Sequence, residues 1–132
     1  MVIVKKTELR IAALVLFSFI ILFFTIYETR FKTIEILFFA NPKCIISNRV
    51  NRTLVELKDE LKEKINIEEI VVHIYSSDPE DSEEIRRLRD EYEVYGVPVV
   101  IINGKEFAQE FTKTNLKREI CNNYLIKPGV CK

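Results

Sequence analysis

Apolar and polar positions follow three different rhythms along this chain, and each predicts a different kind of element. From Ile11 to Tyr27 seventeen residues carry no charge, with only Ser18 and Thr25 polar among aliphatic and aromatic side chains. At about 1.5 Å of rise per residue, such a helix is roughly 25 Å long, the short end of a membrane span. It is apolar all round, whereas a core helix keeps a polar face. A cleaved signal peptide wants a small-residue processing site, which Tyr27-Glu28-Thr29-Arg30 does not offer. A transmembrane helix over 11–27 is the expectation, with a cleaved signal and a core helix as competing readings. It lies between a basic flank at 1–10 and a connector at 28–33. Lys5, Lys6 and Arg10 on one side against Arg30 and Lys32 on the other lean slightly towards a cytoplasmic N-terminus. The chain is then a single-pass membrane protein with its domain extracytoplasmic.

The second rhythm is a short apolar run, Ile34 to Phe39, of the kind a buried parallel strand shows. Asn41-Pro42 breaks it, because proline fixes its own φ and restricts the residue before it. Cys44 follows, and then the third rhythm. Ile46, Val50, Leu54, Leu57, Leu61 and Ile65 recur at spacings of three and four, which predicts a helix over 45–64 with a charged outer face. Asn66-Ile67 interrupts that pattern, and Ile70 to Tyr75 reads as a second strand carrying His73. Asp78-Pro79, with acids in the turn behind it, predicts the start of a helix whose inner side is Ile85, Leu88 and Tyr92. Two further strands flank Asn103-Gly104, the dipeptide of a two-residue type I′ turn. Pro98 opens the first of them and is a candidate cis residue. Thr112 or Thr114 caps a last helix with Leu116, Ile120, Tyr124 and Leu125 inward, and a tail runs from 127 to 132. The order β-α-β-α-β-β-α calls for one mixed four-stranded sheet with helices on both faces, an α/β domain.

Composition narrows the function classes. A length of 132 residues leaves room for one compact domain beside the anchor. Twenty basic and twenty acidic side chains give zero net charge, so no overall field points to nucleic acid, and Arg86, Arg87 and Arg89 read as a solvated helix face. His73 is the only histidine, which argues against a metal site or a Ser-His-Asp triad, and it reads as packing. Asn51-Arg52-Thr53 fits a glycosylation triplet but lies within a predicted helix.

Sulfur is the remaining chemistry. A thiol between the end of a strand and the first turn of a helix meets unpaired N–H groups and the positive dipole end, which favour its thiolate. Cys44 has that position. Cys121 and Cys131 flank the Pro128-Gly129 turn. A bridge between them closes about ten residues and contributes roughly 2–3 kcal/mol. The other readings leave them unpaired, or make one of them a resolving partner for Cys44.

This element order, a cysteine after the first strand, and Gly96-Val97-Pro98 ahead of an Ile-Asn-Gly-Lys hairpin together resemble the thioredoxin-like superfamily over residues 34–126. Glutaredoxin-like and DsbA-like members are the nearest in pattern. The resemblance implies that Cys44 is the nucleophile and that Val97 and Pro98 lie against it and hold substrate backbone. Ser47 stands where the second cysteine of a Cys-x-x-Cys pair belongs, so this segment cannot close its own disulfide. Ile45-Ile46 replaces a more polar pair and could bury the thiol, whereas the Lys43 ammonium would favour the thiolate. The function implied is thiol–disulfide exchange with protein thiols or disulfides through Cys44 alone, Ser47 hydrogen-bonding the sulfur, with no cofactor. A non-catalytic protein-binding or scaffold module is the rival reading. Glutathione-linked or iron–sulfur chemistry needs a glutathione pocket that no residue here identifies.

Overall fold

The structure is a computed structural model and describes residues 6–30 and 32–132. Residues 1–5 of the expected basic flank, Lys5 included, and Phe31 of the expected connector lie outside the described residues. The chain divides into two compact units, Met1–Lys32 and Thr33–Lys132.

The first unit holds one helix, α1 (Lys6–Arg30). Its stretch Arg10–Tyr27 has a mean hydropathy of 2.3 and no buried residue, and among the described residues it alone is long and apolar enough to cross a membrane. Ser18 and Thr25 donate their hydroxyls to the carbonyls of Leu14 and Ile21, at 3.0 and 2.6 Å. Both hydroxyls are therefore satisfied within the helix.

The second unit is organised around β1 (Ile34–Ala40). β2 (Ile65–Val71) pairs with it in parallel, from Ile34↔Ile65 to Ala40↔Val71. β3 (Val99–Ile102) pairs with its other edge antiparallel, from Ile36↔Ile102 to Phe39↔Val99. β4 (Lys105–Glu106) continues from β3, giving a mixed sheet of order β2-β1-β3-β4. Successive strand side chains face opposite ways, so β1 supplies two cores. Ile34, Ile36, Phe38 and Ala40 face α2 (Ile45–Leu61) and α4 (Lys113–Asn122) and join Val50, Leu54, Leu57, Leu116 and Ile120. Phe39 faces the other way with Ile70, Val72, Val94 and Ile101, covered by Ile85, Leu88 and Tyr92 of and after α3 (Glu83–Glu91).

Local chemistry sets the ends. Asn103 and Gly104 take φ of 51° and 82°, the pair of positive values that a type I′ turn requires. Thr112 caps α4 by accepting from the Asn115 N–H at 3.2 Å.

Several sequence expectations need correction. The second strand starts at Ile65, five residues early, because Asn66-Ile67 continues an edge strand beside β1 and breaks nothing. It ends at Val71, so His73 lies beyond it and on no central strand. α2 stops at Leu61, and a single 3₁₀ turn follows at Lys62–Lys64. α3 is capped by Ser82, not by Asp78-Pro79. Ile46 and Leu125, placed on inner faces by spacing, are 53% and 80% exposed.

Candidate functional site

The end of β1 leads directly into the site. Asn41 follows the strand and is buried, and every polar group of its side chain is used. Its Nδ2 donates to the Val72 carbonyl at 2.7 Å and to Asp78 Oδ2 at 3.0 Å. Its Oδ1 accepts from the Lys43 N–H at 2.8 Å, which closes an Asx turn over Pro42. Its carbonyl accepts from the Cys44 N–H at 2.9 Å. The turn carrying the cysteine is thus tied to the loop after β2 on one side and to α2 on the other.

Cys44 is the N-cap residue of α2, with extended backbone (φ −89°, ψ 117°) and no side-chain cap bond of its own. Its carbonyl accepts from Asn48 N–H at 3.1 Å, the first bond of the helix. The side chain is half-buried, and among the described residues Cys44 is the free cysteine. As the N-cap, its side chain stands at the helix end where the first-turn N–H groups lack backbone partners. The Ser47 N–H, then the Ser47 hydroxyl, hold its thiol below the ordinary value; partial burial opposes them, and the Ile46 N–H adds to them. Ile45 and Ile46 do not seal the thiol, since both side chains are exposed. Lys43 does not reach it as an ion partner either. Its ammonium bonds Asp78 Oδ1, lies 3.1 Å from Ser77 Oγ, and sits 5.9 Å from the centre of the Tyr75 ring.

Ser47 takes the inward position that spacing had assigned to Ile46. It is buried and accepts the Asn41 N–H at 3.3 Å. Val97 and Pro98 are half-buried, and the bond between them is cis. Because Phe39 pairs with Val99, Pro98 falls at the end of the sheet where β1 finishes and the chain turns towards Cys44. Cys121 and Cys131 stand as a disulfide with Cα atoms 5.6 Å apart. They belong to the opposite end, where Tyr124 beside them donates to the Lys64 carbonyl ahead of β2.

Three polar residues of this region went unread in the sequence. Asn41 looked like a turn signal only. Asp78 looked like a helix cap, yet it accepts from Lys43, Asn41 and the Tyr75 N–H, and these bonds carry its carboxyl down to about 2, Lys43 contributing most. Asp81 is buried and holds His73 N–H at 2.8 Å, His73 Nδ1 at 2.9 Å and Arg89 Nη1 at 2.7 Å. No single-sequence signal links Asn41 and Asp78 to partners 31 to 37 positions away. Among the described residues, no group of three or more His, Cys, Asp or Glu side chains is arranged to hold a metal ion.

No protein-family model and no curated protein matches this sequence. Solved structures do. A malarial protein is 14% identical with a TM-score of 0.51, over 72% of this chain and all of that one. Tryparedoxin II from C. fasciculata is 12% identical with a TM-score of 0.50, over 76% of this chain and 80% of that one. The same values of identity and TM-score hold for tryparedoxin II complexed with glutathionylspermidine, over 73% and 81%. The fold is thioredoxin-like. At such identities the likeness reaches the fold and stops there.

Proposed function

We propose that this thioredoxin-fold domain carries out thiol–disulfide exchange on other proteins through Cys44, as a single-pass membrane protein held by α1. The observation that carries the reading is the half-exposed free Cys44 at the N-cap of α2, where the positive helix end favours a thiolate; the Ser47 N–H and hydroxyl hold the thiol below its ordinary value. A thiolate is the nucleophile in exchange.

The Cys44 thiolate attacks one sulfur of a substrate disulfide. A new S–S bond forms to Cys44, the old one breaks, and the departing sulfur keeps the electron pair as a thiolate. Ser47 has no sulfur to attack the mixed disulfide, so a thiol from outside the domain does so, and Cys44 leaves as thiolate again. The Ser47 hydroxyl and the helix N–H groups stabilise negative sulfur in both steps. Val97 and Pro98 hold the substrate as an added strand through backbone hydrogen bonds. The N-terminal flank is cytoplasmic and the domain extracytoplasmic, a setting in which a Cys121–Cys131 bridge persists.

The alkylation rate of Cys44 against pH in the folded chain tests this. A midpoint below the free-thiol value of about 8.5 is expected, and an inert thiol across the range overturns the reading. Ser47 in place of a resolving thiol favours the second reading, a groove beside Pro98 that binds protein without chemistry. Inertness of Cys44 together with retained peptide binding selects it.

A further inference from the structure

The charge of this neutral chain is unevenly spread. From Lys113 to Lys132 there are five basic side chains, Lys113, Lys117, Arg118, Lys127 and Lys132, and one acid, Glu119. That stretch therefore carries +4 while the whole chain carries zero. All five cations line one groove of about 400 Å³ between α4 and the C-terminal segment, with Glu60 the acid on its wall. Lys113 pairs with Glu60 at 2.5 Å and Glu56 at 3.2 Å and Lys117 with Glu60 at 3.1 Å, while Arg118 and Lys127 bond only neutral amide oxygens, of Gln109, Asn115 and Asn122. The groove keeps a surplus of positive charge.

Apolar surface adjoins it. Leu125, Ile126 and Val130 are exposed in the segment that the Cys121–Cys131 bridge folds back on α4. Lysines beside exposed aliphatic side chains, with no acid after Glu119, are the chemistry of a lipid-headgroup contact.

The position of this groove in the domain supports that occupant. Asn123 Oδ1 accepts from Asn103 Nδ2 at 3.4 Å, and the Asn103 N–H donates to Glu35, second residue of β1, at 2.8 Å. Thr33 Oγ1 donates to the Glu63 carbonyl at 3.3 Å. The groove thus lies at the pole of the domain that holds Thr33 and the start of β1, opposite the pole of Cys44.

We propose that this groove seats the phosphate headgroup of an anionic phospholipid, docking this pole of the domain on a bilayer surface. The proposal rests on the reading of α1 as an anchor. Docked in this way, the domain turns the Cys44 pole to the aqueous side, towards soluble partners.

The chain has no tryptophan, so Leu125→Trp places a unique fluorophore on the surface in question. Tyr95→Trp, at a side chain 88% exposed beside Gly96, reports the other pole. The full-length variants are reconstituted in vesicles with brominated acyl chains, of phosphatidylcholine alone or with about 30 per cent phosphatidylglycerol. The expected result is quenching of the Leu125→Trp probe about twofold stronger with phosphatidylglycerol, and none at the Tyr95→Trp probe. Combining Lys117→Gln, Arg118→Gln and Lys127→Gln returns it to the phosphatidylcholine level. Equal quenching in both lipids, from chain that floats with both, overturns the docking and leaves the anchor standing. A blue shift that grows with protein density and ignores phosphatidylglycerol assigns the surface to a second copy and also overturns it. Chain that fails to float with phosphatidylcholine overturns the anchor, and the docking then stands or falls on capture by the anionic vesicles.

Discussion

Asn41 donates its backbone N–H to Ser47 Oγ at 3.3 Å, and both residues are only 1% exposed. A hydroxyl has one proton and accepts through its lone pairs. With an acceptor site already filled by Asn41, the proton of Ser47 is left to turn towards the sulfur of Cys44, which it helps to keep below the ordinary thiol range. The serine that removes the resolving thiol therefore remains part of the sulfur's environment.

Ser47→Ala separates two consequences of that bond. The Asn41 N–H loses its acceptor in a buried place, which costs about 1–3 kcal/mol of stability by urea denaturation. The Cys44 thiol rises towards its ordinary value but not fully, since the Ser47 backbone N–H is the larger influence and survives. Alkylation at neutral pH slows, and its pH midpoint moves up. An unmoved midpoint contradicts the assigned role of the hydroxyl.

Ser47→Cys puts a second thiol one helical turn along from the first. In the air-oxidised chain the expected product is a disulfide between Cys44 and the introduced thiol, read as loss of both from alkylation and mass. A mixed disulfide formed at Cys44 with a small aromatic thiol is then released without added reductant. In the natural chain the same adduct persists until a thiol is supplied.

Asp78 ties the cysteine turn to the loop after β2, and its pH signature has a definite sign. Its carboxyl is carried down to about 2 by Lys43 first, with Tyr75 N–H and Asn41 assisting against burial. A folded value below the unfolded one means that the contribution is complete above about pH 4 and fades as pH falls towards 2. Asp78→Asn lowers the thermal midpoint at pH 7 and closes the gap to the natural chain near pH 2. A constant gap across that range is the contrary outcome.

How much of this was visible in the chain itself depends on the range of the interaction. β1, the inner face of α2 from Val50 to Leu61, and the Asn103-Gly104 turn were legible, because each is marked within its own residues: by a continuous apolar run, by spacings of three and four, and by a dipeptide suited to positive φ. The stretch from Ile65 to Ser82 was not. β2 is an edge strand exposed on much of its length, so its pattern I-N-I-E-E-I-V shows no clean alternation. Asp78-Pro79 carries a helix-start signal, but the Asp78 carboxylate is taken by Lys43 and Asn41, 35 and 37 residues away, and the helix waits for Ser82. Cys44 could be found from its place between strand and helix. Asn41, which fixes the turn around it, could not, since its side-chain amide reaches Val72 and Asp78, 31 and 37 residues further along the chain.

The bridge between Cys121 and Cys131 spans ten residues. Constraint of an unfolded loop of that size is worth roughly 2–3 kcal/mol. Replacing both cysteines with serine lowers the urea midpoint accordingly and leaves the pH profile of Cys44 alkylation unchanged, because the pair sits at the opposite pole. A change in that profile makes the pair part of the exchange chemistry.

Asp81 supplies the last prediction. Burial pushes its carboxyl up, but the His73 N–H, the Arg89 guanidinium and the His73 ring outweigh it, so the group titrates below its usual range. It is therefore an anion at neutral pH, held where an unpaired carboxylate is costly. Arg89→Ala takes away the cation and leaves the anion in place. The loss is about 1–2 kcal/mol at pH 7, the low part of the range for such pairs, because His73 and Arg89 are each 26% exposed. The Asp81 carboxyl moves up in this variant, so its stability begins to fall at a higher pH than that of the natural chain. Adding Asp81→Asn to Arg89→Ala recovers part of the loss at pH 7 and removes the added acid sensitivity. If the double variant is instead less stable by the full sum of the single ones, the two side chains act independently and the pair has no coupling.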